Sequence, residues 1–190
     1  MAFPDNLVRH RQAVLEILTE QSRDPARRSA LKTRGVSMAP LLRESDEVAI
    51  AGVPEAGLSP GDLIAYRQAD VLFVHRLVAV VSENGARVLY EKGDNNLYLS
   101  PVAPERVLGV VTEATAGGRR LDLGSPRWRR LGRAAAAYGI RQVNVYRGLQ
   151  TLGARLLEPG SLVSRLGDRL TRALLMLPVG VTLGLARRFL

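Results

Sequence analysis

The spacing of apolar residues changes twice along the chain. Residues 5–21 place apolar side chains at partly helical intervals behind Asp5 or Asn6, either of which is a candidate helix cap. From 31 to 114 the pattern becomes short runs rich in Val, Ile, Leu and Tyr, separated by Gly, Pro and Asn. Such runs predict strands, here at 47–51, 62–67, 71–81, 87–91 and 107–112. We therefore expect one amphipathic helix followed by a mainly β domain.

A two-residue turn signal, Asn84-Gly85, separates two of the predicted strands. The tight turns that join hairpin strands need positive φ at their central residues, which Asn and Gly tolerate best. This dipeptide predicts that the strands at 71–81 and 87–91 form an antiparallel hairpin.

After Gly117-Gly118 the composition turns to Arg, Leu, Ala and Gly at helical spacing, which predicts helices at 128–138 and 140–157. A last stretch, 162–190, contains 14 successive uncharged residues, 173–186. A membrane span needs about 20 apolar residues, and Pro178 weakens a straight helix. We expect an interfacial or re-entrant segment and no transmembrane span.

These changes divide the chain into an N-terminal helix and linker (1–30), a β domain (31–118) and a basic helical extension (119–190). The net charge is +9, and the extension alone holds 14 arginines against three acidic residues. This asymmetry indicates an anionic membrane surface as a partner, or else a solvated arginine face on helices packed against the β domain. The few aromatic residues do not interleave with the arginines, which disfavours nucleic acid.

Composition also limits the kinds of reaction and metal site that the chain can support. The chain has no cysteine and only two histidines, His10 and His75, far apart in sequence. This excludes disulfides and thiolate chemistry, and it disfavours a histidine metal centre, so no metal or cofactor is expected. Charged residues interrupt the first 20 positions, so no conventional signal peptide is predicted, and we expect a cytoplasmic or membrane-peripheral protein.

Three short segments carry residues suited to acyl transfer. Ser37 follows Gly35-Val36 and precedes Met38-Ala39-Pro40, a turn that can expose its hydroxyl. His75 interrupts an apolar strand pattern and is suited to accept a serine proton near neutral pH. The turn at 91–96 contains Asp94, an acid that could orient the imidazole. Each segment alone has an ordinary structural explanation.

Taken in order, these segments resemble the signal peptidases, in the archaeal and endoplasmic-reticulum variant that uses His in place of the bacterial Lys. The matching stretches are 35–41 for the Ser-Met-x-Pro box, 59–64 for the Gly-Asp strand, 74–77 for the His-Arg box, 92–96 for the Gly-Asp-Asn box and 104–110 for a closing strand. The resemblance covers about 33–112.

The resemblance implies a signal-peptidase/LexA-like β fold and a serine endopeptidase acting on a peptide or pre-protein. It makes Ser37 the nucleophile and His75 the general base, without metal or cofactor. Extended peptide would bind along the flanking strands. Asp62 and Arg76 are expected to be structural, through turn hydrogen bonds and an ion pair respectively.

Two features depart from the family. Its usual second Asp, a few residues after the Gly-Asp-Asn box, is absent from the stretch 97–101. From the charged residues among the first 20 positions we also expect no N-terminal membrane anchor of the family's kind. Three alternatives follow: Asp94 orients His75, a Ser-His dyad acts alone, or the protein is a catalytically degenerate homologue that binds peptide or serves as a membrane-associated scaffold. The related autoproteolytic repressors use a Lys base and a helix-turn-helix that 1–29 does not supply.

Overall fold

A computed structural model describes Glu16, Glu20 and residues 28–52, 57–69, 71–156 and 161–189. Glu16 and Glu20 are helical, but the rest of the predicted N-terminal helix, with His10, lies outside the described residues.

Among the described residues, eight antiparallel strands form one sheet, so the prediction of a mainly β fold with a C-terminal helical extension is confirmed. The strands are β1 Arg28–Lys32, β2 Glu47–Ala51, β3 Leu63–Gln68, β4 Val71–Glu83, β5 Ala86–Lys92, β6 Ser100–Val102, β7 Val107–Ala116 and β8 Arg119–Asp122. The order across the sheet is β1-β2-β7-β3-β4-β5-β6, with β8 paired to β7. Because β8 belongs to the sheet, the sheet ends a few residues beyond the expected limit at 118.

The turn between β4 and β5 is the one that the sequence predicts. Glu83 pairs with Ala86, and the two residues between them have positive φ, 50° at Asn84 and 79° at Gly85. This conformation matches the twist of the flanking strands and fixes their register. The hairpin positions the candidate site because His75 lies on β4 and the turn at 93–96 follows β5.

Two apolar clusters fill the two sides of the central strands. One contains Ile64, Tyr66, Leu77 and Leu89. The other, which includes Leu63, Ala65 and Trp128, extends to the helices and to the segment that carries Ser37. Successive side chains on a strand point to opposite faces, so odd and even positions of β3 contribute to different clusters.

The helix α1, Pro126–Leu156, crosses one face of the sheet through small side chains. Gly132, Ala136, Gly139 and Val143 follow helical spacing on its buried face. A Cβ atom at Gly132 would lie only 2.6 Å from the carbonyl oxygen of Gly61. The two predicted helical stretches, 128–138 and 140–157, belong to one helix, because α1 continues through Gly139.

The helix α2, Leu162–Phe189, is continuous through Pro178. Proline removes one intrahelical hydrogen bond and disturbs the preceding turn. The carbonyl of Leu175 in that turn accepts hydrogen bonds from the Tyr138 hydroxyl at 3.1 Å and the Gln142 side-chain amide at 2.6 Å. Contacts from α1 thus stabilise a helix that the sequence pattern predicts to be interrupted.

Within α2, Val163–Arg188 has the length and composition of a membrane-crossing helix, and only 17% of its most apolar window is buried in the protein. Core helices and signal sequences can have the same length and composition, so this finding alone does not make α2 a span.

Candidate active site

Ser37 and His75 come together although 38 residues separate them. The Ser37 hydroxyl lies 2.9 Å from Nε2 of His75. Ser37 is partly exposed at the surface, whereas His75 on β4 is only 5% exposed. A rigid strand therefore holds the imidazole beneath an accessible hydroxyl, which is the arrangement required of a general base and its nucleophile.

The acid beside the imidazole is Glu91, which the sequence reasoning did not single out as the partner. Its carboxylate Oε2 lies 2.6 Å from Nδ1 of His75 and is buried with it. When Nδ1–H donates to this carboxylate, Nε2 is left free to accept the proton of Ser37. Glu91 therefore sets the tautomer that the serine needs.

Tyr66 adds a further polar group to this pair. Its hydroxyl lies 3.2 Å from Nδ1 of His75. Burial, and then the nearby Glu91 carboxylate with which the hydroxyl makes a hydrogen bond, raise the pKa of Tyr66. Tyr66 thus stays protonated beside the His75–Glu91 pair.

The register of the hairpin explains why Glu91 reaches His75. Leu77 pairs directly with Glu91 across β4 and β5. His75 lies two residues from Leu77 on the same face, so Glu91 is its diagonal neighbour and within reach of a long side chain. The register shifts between Leu77 and Ala79, and this shift brings Glu91 to the face of His75. Counting alternate residues from the Asn84-Gly85 turn would place Glu91 on the opposite face, so no local pattern reveals this acid.

Asp94 lies elsewhere, which corrects the expectation that it could orient His75. Its two oxygens accept hydrogen bonds from Arg76 Nε at 2.8 Å and Nη2 at 2.7 Å, and both side chains are buried. Arg76 follows His75 on β4 and therefore faces the other side of the sheet. The expected structural ion pair of Arg76 is confirmed, with Asp94 as its partner.

Lys92 lies in the same region as this ion pair and is itself buried. Its ammonium donates to the backbone oxygen of Gly93 at 3.2 Å. Burial lowers the pKa of Lys92 to about 8, although the charge of Asp94 acts in the opposite direction.

The expected turn hydrogen bond of Asp62 is also confirmed, since its carboxylate accepts from the Ser59 N–H at 2.9 Å.

The turn after β5 holds the backbone of Ser37. The N–H of Asn95 donates to the Ser37 carbonyl oxygen at 2.8 Å. A Cβ atom at Gly93 would come within 2.8 Å of that same oxygen, so the position requires glycine. The Gly-Asp-Asn motif thus positions the Ser37 backbone and contributes no atom to the His75 pair.

A second support for this loop comes from the far end of α2. Arg187 Nη1 donates to the Leu41 carbonyl at 2.9 Å and the Pro40 carbonyl at 3.3 Å. The same guanidinium makes bonds of 2.7 and 3.1 Å to the two oxygens of Asp46. Arg187 thus connects both ends of the loop that follows Ser37, and sequence patterns gave no sign of a contact across about 140 residues.

Replacing Arg187 by alanine should lower the free energy of unfolding by about 3 kcal/mol, because it leaves the nearly buried Asp46 charge without its partner. Arg188→Ala is the matched control, since this neighbour is exposed and uses its backbone carbonyl, not its side chain, to contact Arg119. Urea unfolding of both variants measures the difference. Equal losses would contradict a specific role for Arg187.

Comparison with known protein families, with curated proteins and with solved structures finds no match to this chain. The resemblance to signal peptidases therefore continues to rest on its motifs. Within the described part of the chain, no group of three or more His, Asp or Glu side chains is arranged to hold a metal ion.

Proposed function

We propose that this protein is a serine endopeptidase that resembles signal peptidases and cleaves a peptide or pre-protein. The observation that carries the proposal is the buried chain of contacts from Glu91 through His75 to Ser37, with distances of 2.6 and 2.9 Å. Nucleophile, base and orienting acid in this order form the arrangement that activates serine on several unrelated folds.

In the proposed reaction, Nε2 of His75 takes the hydroxyl proton while Ser37 Oγ attacks the scissile carbonyl carbon. The Glu91 carboxylate stabilises the imidazolium formed in this step. Collapse of the tetrahedral intermediate breaks the C–N bond, and His75 returns the proton to the leaving amine. Water then repeats the sequence on the acyl-enzyme and releases the acid product and free Ser37.

Backbone groups near Ser37 would stabilise the developing oxyanion, because N–H groups at the nucleophile loop are suitably placed for this in such enzymes.

For the substrate, β1 is the most direct docking edge. It forms one end of the sheet and leads into the loop that carries Ser37. An extended peptide added to this edge would run toward the reactive hydroxyl.

The alternative of a degenerate, peptide-binding homologue rested on the absence of the family's second Asp. Glu91 supplies a carboxylate at Nδ1 of His75 from a different position in the sequence, which favours the active enzyme. A cytoplasmic or membrane-peripheral location belongs to this proposal as well.

The proposal is tested by incubating the full chain with a fluorophosphonate probe and mapping the modified peptide. We expect one labelled site, Ser37, because an activated serine reacts with such probes far faster than ordinary serines do. Heat-unfolded protein serves as the control and should not label. Absence of labelling in the folded wild type would instead favour the degenerate homologue.

A further inference from the structure

The outward face of α2 carries a row of large apolar side chains. Seven residues, each 49 to 68% exposed, repeat at intervals of three or four: Val163, Leu166, Leu170, Leu174, Leu177, Val181 and Leu185. We call this row the outer stripe. It runs over about 33 Å at 1.5 Å per residue.

The outer stripe is not a core face left uncovered. The face of α2 that packs into the β domain contains Val179, Leu183 and Ala186. Val179 and Val181 differ by about 200° around the helix, so the outer stripe points away from the domain. Apolar rows of this length on the surface mark a site of interaction.

The adjoining helix repeats the pattern. On the second half of α1, Val145, Leu149, Leu152 and Leu156 are 46 to 72% exposed and follow helical spacing. The Tyr146 hydroxyl donates to Asp168 on α2 at 2.6 Å, which fixes the two helices together. The exposed apolar surface is thus a property of the helical pair.

The charge of the two helices identifies the chemistry of the partner. Between Pro126 and Phe189, the helices α1 and α2 contain twelve arginines and one acidic residue, Asp168. Apolar side chains beside arginines suit the boundary between acyl chains and anionic headgroups, because guanidinium groups can reach the phosphates while the apolar groups enter the acyl region. A nucleic acid would leave the apolar groups without a partner.

We propose that the outer stripe docks α2 onto an anionic lipid membrane, with the helix lying in the plane of the interface. A transmembrane orientation would separate the packed face of α2 from the β domain and leave the Asp46 carboxylate without Arg187. Placing the separated guanidinium in hydrocarbon is costly. This proposal does not depend on the peptidase activity.

The test is flotation of the full chain with vesicles of phosphatidylcholine and phosphatidylglycerol, and in parallel with phosphatidylcholine alone. We expect the protein to float with the mixed vesicles and much less with the zwitterionic ones, and high salt should weaken the binding. Failure to float with the mixed vesicles would overturn the proposal, as would equal flotation with both.

Two matched variants assign the binding to the outer stripe. Leu170→Glu/Leu174→Glu should reduce binding to mixed vesicles about tenfold or more, because it places two charges where apolar groups enter the lipid. Val71→Glu/Ser82→Glu makes the same change in charge at exposed positions of the β domain and should float like the wild type. Equal loss in both would overturn the assignment.

Sedimentation velocity tests a second copy of the chain as the occupant of the outer stripe. A dimer that Leu170→Glu/Leu174→Glu dissociates, without flotation of the wild type, would overturn the lipid proposal. Probe labelling of Ser37, recorded on the same samples, reports separately on the proposed peptidase.

Discussion

Replacing His75 by alanine is expected to abolish detectable probe labelling of Ser37 and to lower peptide hydrolysis by a factor on the order of 10⁶. Without an acceptor 2.9 Å away, the serine hydroxyl must lose its proton to water while it attacks. Ser37→Ala should cost about as much. The double variant should be no worse than either single variant, because a nucleophile and its base act as one unit.

A variant that only destabilises the fold distinguishes loss of the base from unfolding. Val102→Ala removes buried apolar volume from the cluster that contains Ile64 and Leu77 and should lower the free energy of unfolding by about 2 kcal/mol. Its folded fraction should still label at the wild-type rate. Labelling rates are compared after correction for the folded fraction, measured by circular dichroism. A His75→Ala protein that labels like Val102→Ala would contradict the role of His75 as the base.

The second large effect concerns the acid. Glu91→Gln should lower kcat by about 10⁴-fold with little change in KM. A carboxylate can only accept from Nδ1, whereas an amide can donate to it. Donation stabilises the tautomer with the proton on Nε2, and that nitrogen then cannot accept the proton of Ser37. Steady-state kinetics on a peptide cleaved by the wild type measures this effect.

Asp94→Asn is the control for the role of Glu91 as the orienting acid. It removes the charge partner of the buried Arg76 and should destabilise the fold by about 3 kcal/mol. The rate per folded molecule should change only a few-fold, because Asp94 does not contact His75. If Asp94 were the orienting acid, the kinetic loss would fall on Asp94→Asn and Glu91→Gln would remain active.

The sheet is the part of the molecule that the sequence predicts best, for a physical reason. Strand composition and turn chemistry are local properties, so the apolar run at β4 and the Asn84-Gly85 turn are readable without any tertiary information. The residues Ser37 and His75 were found through motifs within single turns or strands. Their contact at 2.9 Å depends on the tertiary arrangement of the whole sheet, which no single segment encodes.

Other features depend on contacts that no local pattern encodes. Glu91 was missed as the acid because its role follows from a diagonal pairing across two strands. Pro178 argued against a continuous α2, but α1 supplies side-chain partners to the turn before it. The turn pattern points to Asp94, but alternation along β4 directs Arg76 away from His75, and Asp94 pairs with Arg76.

The clamp that Arg187 makes on Asp46, Pro40 and Leu41 affects the order in which the site is completed during synthesis. Translation makes the segment around Ser37 early, and domains generally fold as their residues leave the ribosome. The residue that ties this segment down is made about 140 positions later. A growing chain therefore carries the Ser37 segment without this support until α2 has been made.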